Sequence, residues 1–145
     1  MFKTILVPTD GSELAFKAAQ TAIEFARESG ARLITLSVAE SFPYIALAEG
    51  VVLPNPEEYD EALLQAARNS AQQVADAAAK AGVACEAITA QAVDPSAEII
   101  DTATRRACDA IFIASHGRRG LGKIWLGSVT QRVLAGTRLP VLVIR

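Results

Sequence analysis

Residues 3–30 read KTILVPTDGSELAFKAAQTAIEFARESG, and the change of pattern within this stretch decides the fold. The apolar run at 3–9 has the length of a β-strand and is ended by Pro8 and Gly11. Polar residues then recur at helical spacing over 12–29, with apolar residues on another face, and Gly30 follows as a helix stop. The stretch therefore predicts a strand followed by an amphipathic helix.

The same alternation of strand and helix continues to the end of the chain. Further strands are predicted at 32–39, 84–91, 109–115 and 140–145. Further helices are predicted from an Asn55 N-cap with Pro56 to about Ala81, from Asp94-Pro95 to about Ala107, and from about Val129 to Ala135. Strands separated by helices require crossover connections, so the sequence predicts a single α/β domain over 1–145 with a doubly wound, five-stranded parallel sheet and helices on both faces.

Composition narrows the class of function. The chain has 145 residues, 51% of them apolar, and a formal net charge of −2, which gives no general attraction to nucleic acid or to an anionic membrane. Its first residues do not resemble a signal peptide, and no apolar run approaches the roughly 20 residues that span a bilayer. Cys85 and Cys108 are expected to be reduced and buried. These features predict a cytoplasmic protein that binds neither nucleic acid nor membrane.

A glycine-rich basic loop, ASHGRRGLGKIWLGSVT at 114–130, follows the predicted fourth strand. In parallel sheets ligands bind beyond the carboxyl ends of the strands, where VPTDGS of the first strand also lies. Residues 117–123 match G-x-x-x-x-G-K, but a P-loop needs Ser or Thr next and the chain has Ile124. A dinucleotide fingerprint starting at Gly120 fails because Trp125 stands where Gly or Ala is needed. Both common phosphate motifs are thereby excluded.

A third spacing fits the loop. Ala114-Ser115-His116-Gly117, nine further residues and Gly127-Ser128 resemble the G-x2-G-x9-G-[ST] signature of the ATP-binding universal stress proteins. The segments ILVPTDGSELA, LITLSVAE, LGSVTQRVL and LPVLVIR are similar to that family in the same order. The resemblance covers the whole chain, is weakest over 42–56, and implies a Rossmann-like fold of the adenine nucleotide α-hydrolase type. Ala114 departs from the family's first glycine, and alanine lacks the access of glycine to positive φ.

The resemblance implies a set of ATP-binding residues at the carboxyl edge of the sheet. They are Pro8, Thr9, Asp10, Val38, Ala114, Ser115, Gly117, Arg118, Gly127, Ser128, Val129 and Thr130. Gly117 is expected to permit a turn toward the ligand, and the start of the last helix is expected to favour phosphate. Because a carboxylate beside a triphosphate is repulsive, Asp10 also implies nucleotide-bound Mg²⁺ or Mn²⁺ nearby.

Several of these residues have structural explanations that need no ligand. Asp10 with Glu13, and Ser128 with Gln131, match capping boxes, and Val38 suits an ordinary buried strand position. His116 has no visible catalytic partner and is expected to bond locally. Arg118, Arg119 and Lys123 are the cations of the loop, and Trp125 and Leu126 are expected to anchor it.

The sequence favours binding over turnover. It contains no nucleophile–base pair or metal-ligand cluster, so at most slow ATP hydrolysis is expected. The favoured function is a nucleotide-dependent stress-response switch that is read by an unidentified protein partner. Resemblance to the family also implies a homodimer through the last strand, 140–145. Two alternatives stay open, which are a dimeric scaffold that binds no nucleotide and an enzyme that cleaves or transfers AMP.

Overall fold

The structure is a computed structural model that describes residues 1–41, 56–118 and 125–145. The proposed Asn55 cap lies outside these residues. The elements in chain order are β1 (Thr4–Pro8), α1 (Glu13–Ser29), β2 (Arg32–Glu40), α2 (Pro56–Lys80), β3 (Cys85–Ala92), α3 (Pro95–Arg105), β4 (Ala110–Ala114), α4 (Ser128–Gly136) and β5 (Val141–Ile144). Each predicted strand and helix is present, with ends shifted by one or two residues.

The strands form one five-stranded sheet in the order β3-β2-β1-β4-β5, and all of its pairs are parallel. Ile5 of β1 lies opposite Leu33 of β2 on one side and Ala110 of β4 on the other. The chain moves outward from β1 through β2 to β3 and then returns to place β4 against β1. The strand order therefore reverses between β1 and β4, which is where such sheets bind ligands.

Both faces of the sheet are covered, as predicted for a doubly wound fold. Alternate residues of β1 point to opposite faces, so that Ile5 and Val7 pack with α1 and α2 while Leu6 packs with α3 and α4. All three side chains are fully buried. Burial of one such side chain contributes about 1.5–3 kcal/mol relative to exposure. The central strands are thus apolar on both faces, which explains their continuous apolar runs in the sequence.

The start of α1 differs from the prediction. Its N-cap is Ser12, whose hydroxyl accepts a hydrogen bond from the Ala15 N–H at 3.2 Å. The predicted capping box of Asp10 with Glu13 is therefore wrong, because the Asp10 carboxylate lies outside the helix and is used elsewhere. Gly30 ends the helix as predicted, with φ 74° and its N–H donated to the Ala26 carbonyl.

Of the predictions for the starts of α3 and α4, one is confirmed and one is wrong. Asp94 caps α3 as predicted and accepts hydrogen bonds from the N–H groups of Ser96 and Ala97. The Ser96 hydroxyl, together with those N–H groups, lowers the pKa of the Asp94 carboxyl. The predicted capping box of Ser128 with Gln131 is wrong, because Gly127 is the N-cap of α4 and no side chain caps it.

The two cysteines are free thiols. Cys108 is buried as predicted, but Cys85 on the edge strand β3 is only partly buried. Desolvation raises the pKa of each thiol to about 11. Within the described ranges, no helix combines the length and the apolar character needed to cross a membrane.

Candidate functional site

The loops that follow β1 and β4 meet at the reversal of the strand order, and Asp10 joins them. One carboxylate oxygen, Oδ2, accepts the N–H of Arg118 at 2.8 Å. The other, Oδ1, accepts the N–H of Ser12 at 2.9 Å and so holds the turn into α1. Asp10 is therefore the link between the first strand and the beginning of the glycine-rich loop.

Gly117 is needed for space. A Cβ atom at this position would overlap Oδ2 of Asp10, so that any side chain would displace the carboxylate that holds Arg118. Its φ is not in the left-handed region, so the predicted need for a special turn conformation is wrong. The glycine permits close approach between the two loops.

The side chain of Arg118 reaches back across the turn after β1. Gly11 in that turn has φ 79°, and a Cβ built on it would lie 2.8 Å from the Arg118 Nη2 atom. The same Cβ would overlap the hydroxyl of Ser70 on α2. The guanidinium group is thereby placed beside the carboxyl end of β1, at the edge where the sequence predicts the nucleotide.

Hydrogen bonds hold the two ends of the 114–130 segment together. The N–H of Gly127 donates to the Ser115 carbonyl at 2.6 Å, and the hydroxyl of Thr130 donates to the Ala114 carbonyl at 2.8 Å. Ser115 in turn donates its N–H to the carbonyl of Ile144 on β5 at 2.7 Å. A Cβ on Gly127 would lie 3.1 Å from the Cα of His116, so this closure also depends on a small residue. The N-terminus of α4 is thus held against the end of β4.

Ala114 does not need the conformational freedom of glycine. It is the last residue of β4, is buried, and packs with Ala15 and Ala18 of α1. Among the described non-glycine residues, positive φ occurs at Ala107 and not at Ala114. The expectation that alanine is a poor substitute here because it lacks access to positive φ is therefore wrong, since the backbone at Ala114 does not have positive φ.

The remaining predicted residues lie along the same edge. Pro8 and Thr9 are buried at the end of β1, and the Thr9 hydroxyl accepts the N–H of Gly11 at 3.2 Å. Val38 is half-buried near the end of β2, in the second apolar cluster. Ser128 is exposed and Val129 is half-buried in the first turn of α4. Hydrogen bonds therefore join Asp10 with Arg118, Ala114 with Thr130 and Ser115 with Gly127. Val38 and Val129 pack against the same apolar cluster.

His116 behaves as expected, since its Nδ1 lies 3.2 Å from the Ser115 hydroxyl. The expectation for Trp125 is wrong, because 78% of this residue is exposed and it does not anchor the loop in the core. The guanidinium of Arg145 lies over its ring, 5.2 Å from the ring centroid. Arg119 and Lys123 lie outside the described residues.

A cleft of about 1090 Å³ opens between the first half of α1 and the loop. Of the predicted binding residues, only Ser115, Gly117 and Arg118 line it. The sequence analysis did not identify Lys17 and Arg145 as residues of this cleft, because they are far apart in the chain and only the fold brings them together. Lys17 donates its Nζ to the carbonyl of Arg145 at 2.9 Å. No local motif signals this contact.

The fold and the linked loops define a class, namely doubly wound α/β proteins with a glycine-rich loop at the reversal between β1 and β4. The model of the universal stress protein family matches residues 1–145, and the chain belongs to that family. It is similar to universal stress protein MJ0531 of Methanocaldococcus jannaschii, with 33% identity over 100% of this chain and 83% of the relative. It is also similar to universal stress protein YxiE of Bacillus subtilis, with 32% identity over the full length of both.

Solved structures agree on the fold. The structure of MJ0577 superposes with a TM-score of 0.83 at 30% identity and covers 99% of this chain and 96% of its own. Two others were determined with ligands, a universal stress protein in complex with cAMP and the Archaeoglobus fulgidus protein in complex with dAMP. Their TM-scores are 0.66 and 0.72, their identities 23% and 21%, and they cover 99% of this chain and 97% and 98% of their own. These last two support the shared fold.

Proposed function

We propose that this chain binds ATP where the loops after β1 and β4 meet, and that it acts in the cytoplasm as a nucleotide-dependent stress-response switch with little or no turnover. Residues 1–145 act as one domain in this proposal. The observation that carries it is the link between Asp10 and the Arg118 N–H at 2.8 Å, combined with the closure of Gly127 on Ser115. Together they hold the two described ends of the glycine-rich segment at the edge where the strand order reverses.

The start of α4 supplies the phosphate-binding chemistry. The first N–H groups of a helix have no partner within it, and the helix dipole favours an anion at this end. In α4 the helical hydrogen bonds begin with the Gln131 N–H, which donates to the Gly127 carbonyl at 3.0 Å. The N–H groups of Ser128, Val129 and Thr130 precede it. Arg118 adds a cation beside β1, and these groups together support a phosphate-bearing ligand.

The comparisons support an adenine nucleotide as the ligand class. Two structures with the same fold contain cAMP and dAMP. In this chain we place adenine against Val38, the ribose near Pro8, Thr9 and Asp10, and the phosphates at Ala114, Ser115, Gly117 and the start of α4. The buried hydroxyl of Thr130 supports this arrangement by holding the Ala114 carbonyl.

Asp10 is also the residue near which we propose a nucleotide-bound divalent cation. Within the described ranges, no group of three or more acidic, His or Cys side chains is placed to hold a metal ion. Both oxygens of Asp10 already accept backbone N–H groups, which leaves each with one further lone pair. Mg²⁺ or Mn²⁺ therefore fits here as an ion that the phosphates bring with them. The cation offsets the phosphate charge and has Asp10 as one oxygen neighbour.

Homodimerisation is part of the proposal. β5 forms one edge of the sheet, and Leu142 on it is 45% exposed. A short apolar edge strand favours pairing with a second copy through 140–145. Sedimentation at micromolar concentration is expected to give twice the monomer mass, and a monomer mass alone would contradict this part.

The nucleotide site is tested by what the protein carries and binds. The protein is purified rapidly with Mg²⁺, denatured, and its nucleotide is identified by chromatography and mass; ATP binding is then measured by calorimetry. Near-stoichiometric ATP is expected. ADP or AMP in its place would favour the alternative enzyme, which forms AMP. An empty protein that also fails to bind added ATP would favour the scaffold.

The switch is tested separately by hydrogen exchange. Saturating ATP is expected to slow exchange of the backbone amides in 115–128, because the loop becomes ordered around the phosphates. The reporter control is the core strand β1, whose exchange should not change. Bound ATP without any protection of 115–128 would mean that the site binds but does not switch.

A further inference from the structure

The cleft beside α1, called here the α1 cleft, is lined by Lys17, Gln20, Arg118, Trp125 and Arg145 among others. It lies apart from most of the proposed nucleotide site. Asp10, Val38, Gly127 and Ser128 do not line it. The proposed nucleotide site therefore does not explain which residues line this cleft.

The α1 cleft is positively charged in a chain whose formal net charge is −2. Among the described residues, its lining side chains include the cations Lys17, Arg118 and Arg145 and one carboxylate, that of Glu13. The ion pairs of Arg105 with Glu98 and of Arg106 with Glu86 do not involve the residues that line the cleft, so they do not neutralise it. A concave surface with one sign of charge concentrates its field on an oppositely charged ligand.

The cations are held in place. Lys17 donates to the Arg145 carbonyl at 2.9 Å, and the Arg145 guanidinium lies over the Trp125 ring, 5.2 Å from its centroid. A cation–π contact of this kind does not use up the N–H donors of the guanidinium, which stay available for a carboxylate. Pre-organised donors lose less conformational entropy when they bind.

Trp125 adds an apolar contact surface to the charge. It is 78% exposed, although tryptophan side chains are usually largely buried. Tryptophan and arginine are the residue types in which binding energy concentrates at protein interfaces. A charged cleft with an exposed tryptophan at its rim is suited to a protein segment that carries carboxylates and an apolar side chain.

The size of the cleft also favours a peptide. Its volume of about 1090 Å³ slightly exceeds the roughly 300–1,000 Å³ that small-ligand pockets occupy. The α1 wall from Ser12 to Gln20 extends for about 12 Å at the helical rise of about 1.5 Å per residue. An extended strand of about four residues has that length.

We propose that the α1 cleft binds an acidic segment of a partner protein. Carboxylates of that segment contact Lys17, Arg118 and Arg145, and an apolar side chain packs on Trp125. The proposal goes beyond the nucleotide site, with which it shares Ser115, Gly117 and Arg118, and it does not require bound nucleotide. The cleft also shares Arg145 with the segment proposed to pair with a second copy, so peptide binding is measured below the concentration at which sedimentation shows a dimer.

The test uses the full chain without nucleotide and a labelled peptide, Ac-EEFEE-NH2, with Ac-QQFQQ-NH2 as the neutral control. Binding is followed by fluorescence anisotropy of the label. Emission of Trp125, the single tryptophan of the chain, reports whether the peptide lies in the cleft. Saturable binding of the acidic peptide that alters Trp125 emission and weakens in high salt is expected. Equal binding of both peptides, or no binding of either, would overturn the proposal.

Charge variants locate the contact. The double change Lys17→Gln and Arg145→Gln is expected to weaken binding of the acidic peptide about tenfold, since each exposed ion pair contributes up to about 1 kcal/mol. Lys80→Gln, which removes one exposed positive charge at the end of α2, is the control and should leave the affinity unchanged. Equal affinities for the double variant and the wild type would refute the cleft as the site. Tighter, Lys17-dependent binding of AMP to the cleft would show a nucleotide ligand and would also refute it. ATP calorimetry on Lys17→Gln reports separately on the nucleotide site, so the two proposals fail independently.

Discussion

Gly117→Ala tests the link between the two loops at the proposed site. The added methyl would overlap Oδ2 of Asp10, so the carboxylate must move and release the Arg118 N–H that it accepts at 2.8 Å. The bond is exposed, and a hydrogen bond to a charged group contributes about 1.5–3 kcal/mol, which exposure brings to the lower end. We therefore expect a loss of about 1.5 kcal/mol in the free energy of unfolding. The Asp10 bond to the Ser12 N–H keeps the turn into α1 in place.

The same displacement should weaken ATP binding, because the loop and Arg118 lose their fixed position. Since about 1.4 kcal/mol corresponds to a tenfold change in affinity, we expect about a tenfold increase in Kd. Urea unfolding and calorimetry with ATP and Mg²⁺ measure the two effects.

The control for Gly117→Ala is the same change in an Asp10→Ala background. There the methyl has no carboxylate to displace, so its additional effect on stability should be close to zero. If Gly117→Ala were as destabilising in that background as in the wild type, the reasoning about Asp10 would be refuted. If both single variants bound ATP like the wild type, the link would be structural and the site would lie elsewhere.

Three further predictions follow from buried contacts. Thr130→Val should reduce the free energy of unfolding by about 1–3 kcal/mol, because it removes the buried hydrogen bond to the Ala114 carbonyl; Thr130→Ser is the control that keeps the hydroxyl, and equal losses would show that packing alone matters. Ala114→Gly should destabilise the protein by about 1 kcal/mol and give no gain in ATP affinity, since this strand position has no positive φ; tighter ATP binding by calorimetry would restore the idea of a weakened site. Cys85 and Cys108 have pKa values of about 11 against an ordinary 9.0, so at pH 8 the folded protein should react about 100-fold more slowly with a thiol reagent than the unfolded chain does. Because the raised pKa favours the neutral thiol in the folded state, the free energy of unfolding should be unchanged below pH 9 and should fall as pH rises toward 11. A free energy of unfolding that stays constant over that range would contradict the desolvation of the thiols.

The difference between prediction and structure at the start of α1 has a tertiary cause. A sequence shows which residue types are near a helix start, but hydrogen bonds to another loop decide which of them caps it. Asp10 is two residues from Ser12 and accepts the N–H of Arg118, more than 100 residues away, so Ser12 becomes the cap. Asp94 has no such distant partner in the described contacts of its side chain, and the local prediction holds there.

The two glycines of the signature show the same limit of prediction from local sequence. The sequence places Gly117 and Gly127 in the family signature, but it attributes Gly117 to turn conformation. In the structure another segment passes close to each glycine, the Asp10 carboxylate in one case and the His116 backbone in the other, so that an added Cβ would force a shift. Such proximity is a property of the fold and leaves no trace in the local pattern.

The sequence by itself determined the class of fold, the parallel sheet and the family, because hydrophobic periodicity, helix stops and motif spacing are local properties of the chain. It also determined which residues are candidates for a nucleotide site. Only the tertiary structure decided that β1 and β4 are neighbours, that Asp10 holds the glycine-rich loop, and that Lys17, Trp125 and Arg145 line one cleft. These contacts join residues about 20 to more than 100 positions apart, and their geometry is set by how the helices pack on the sheet.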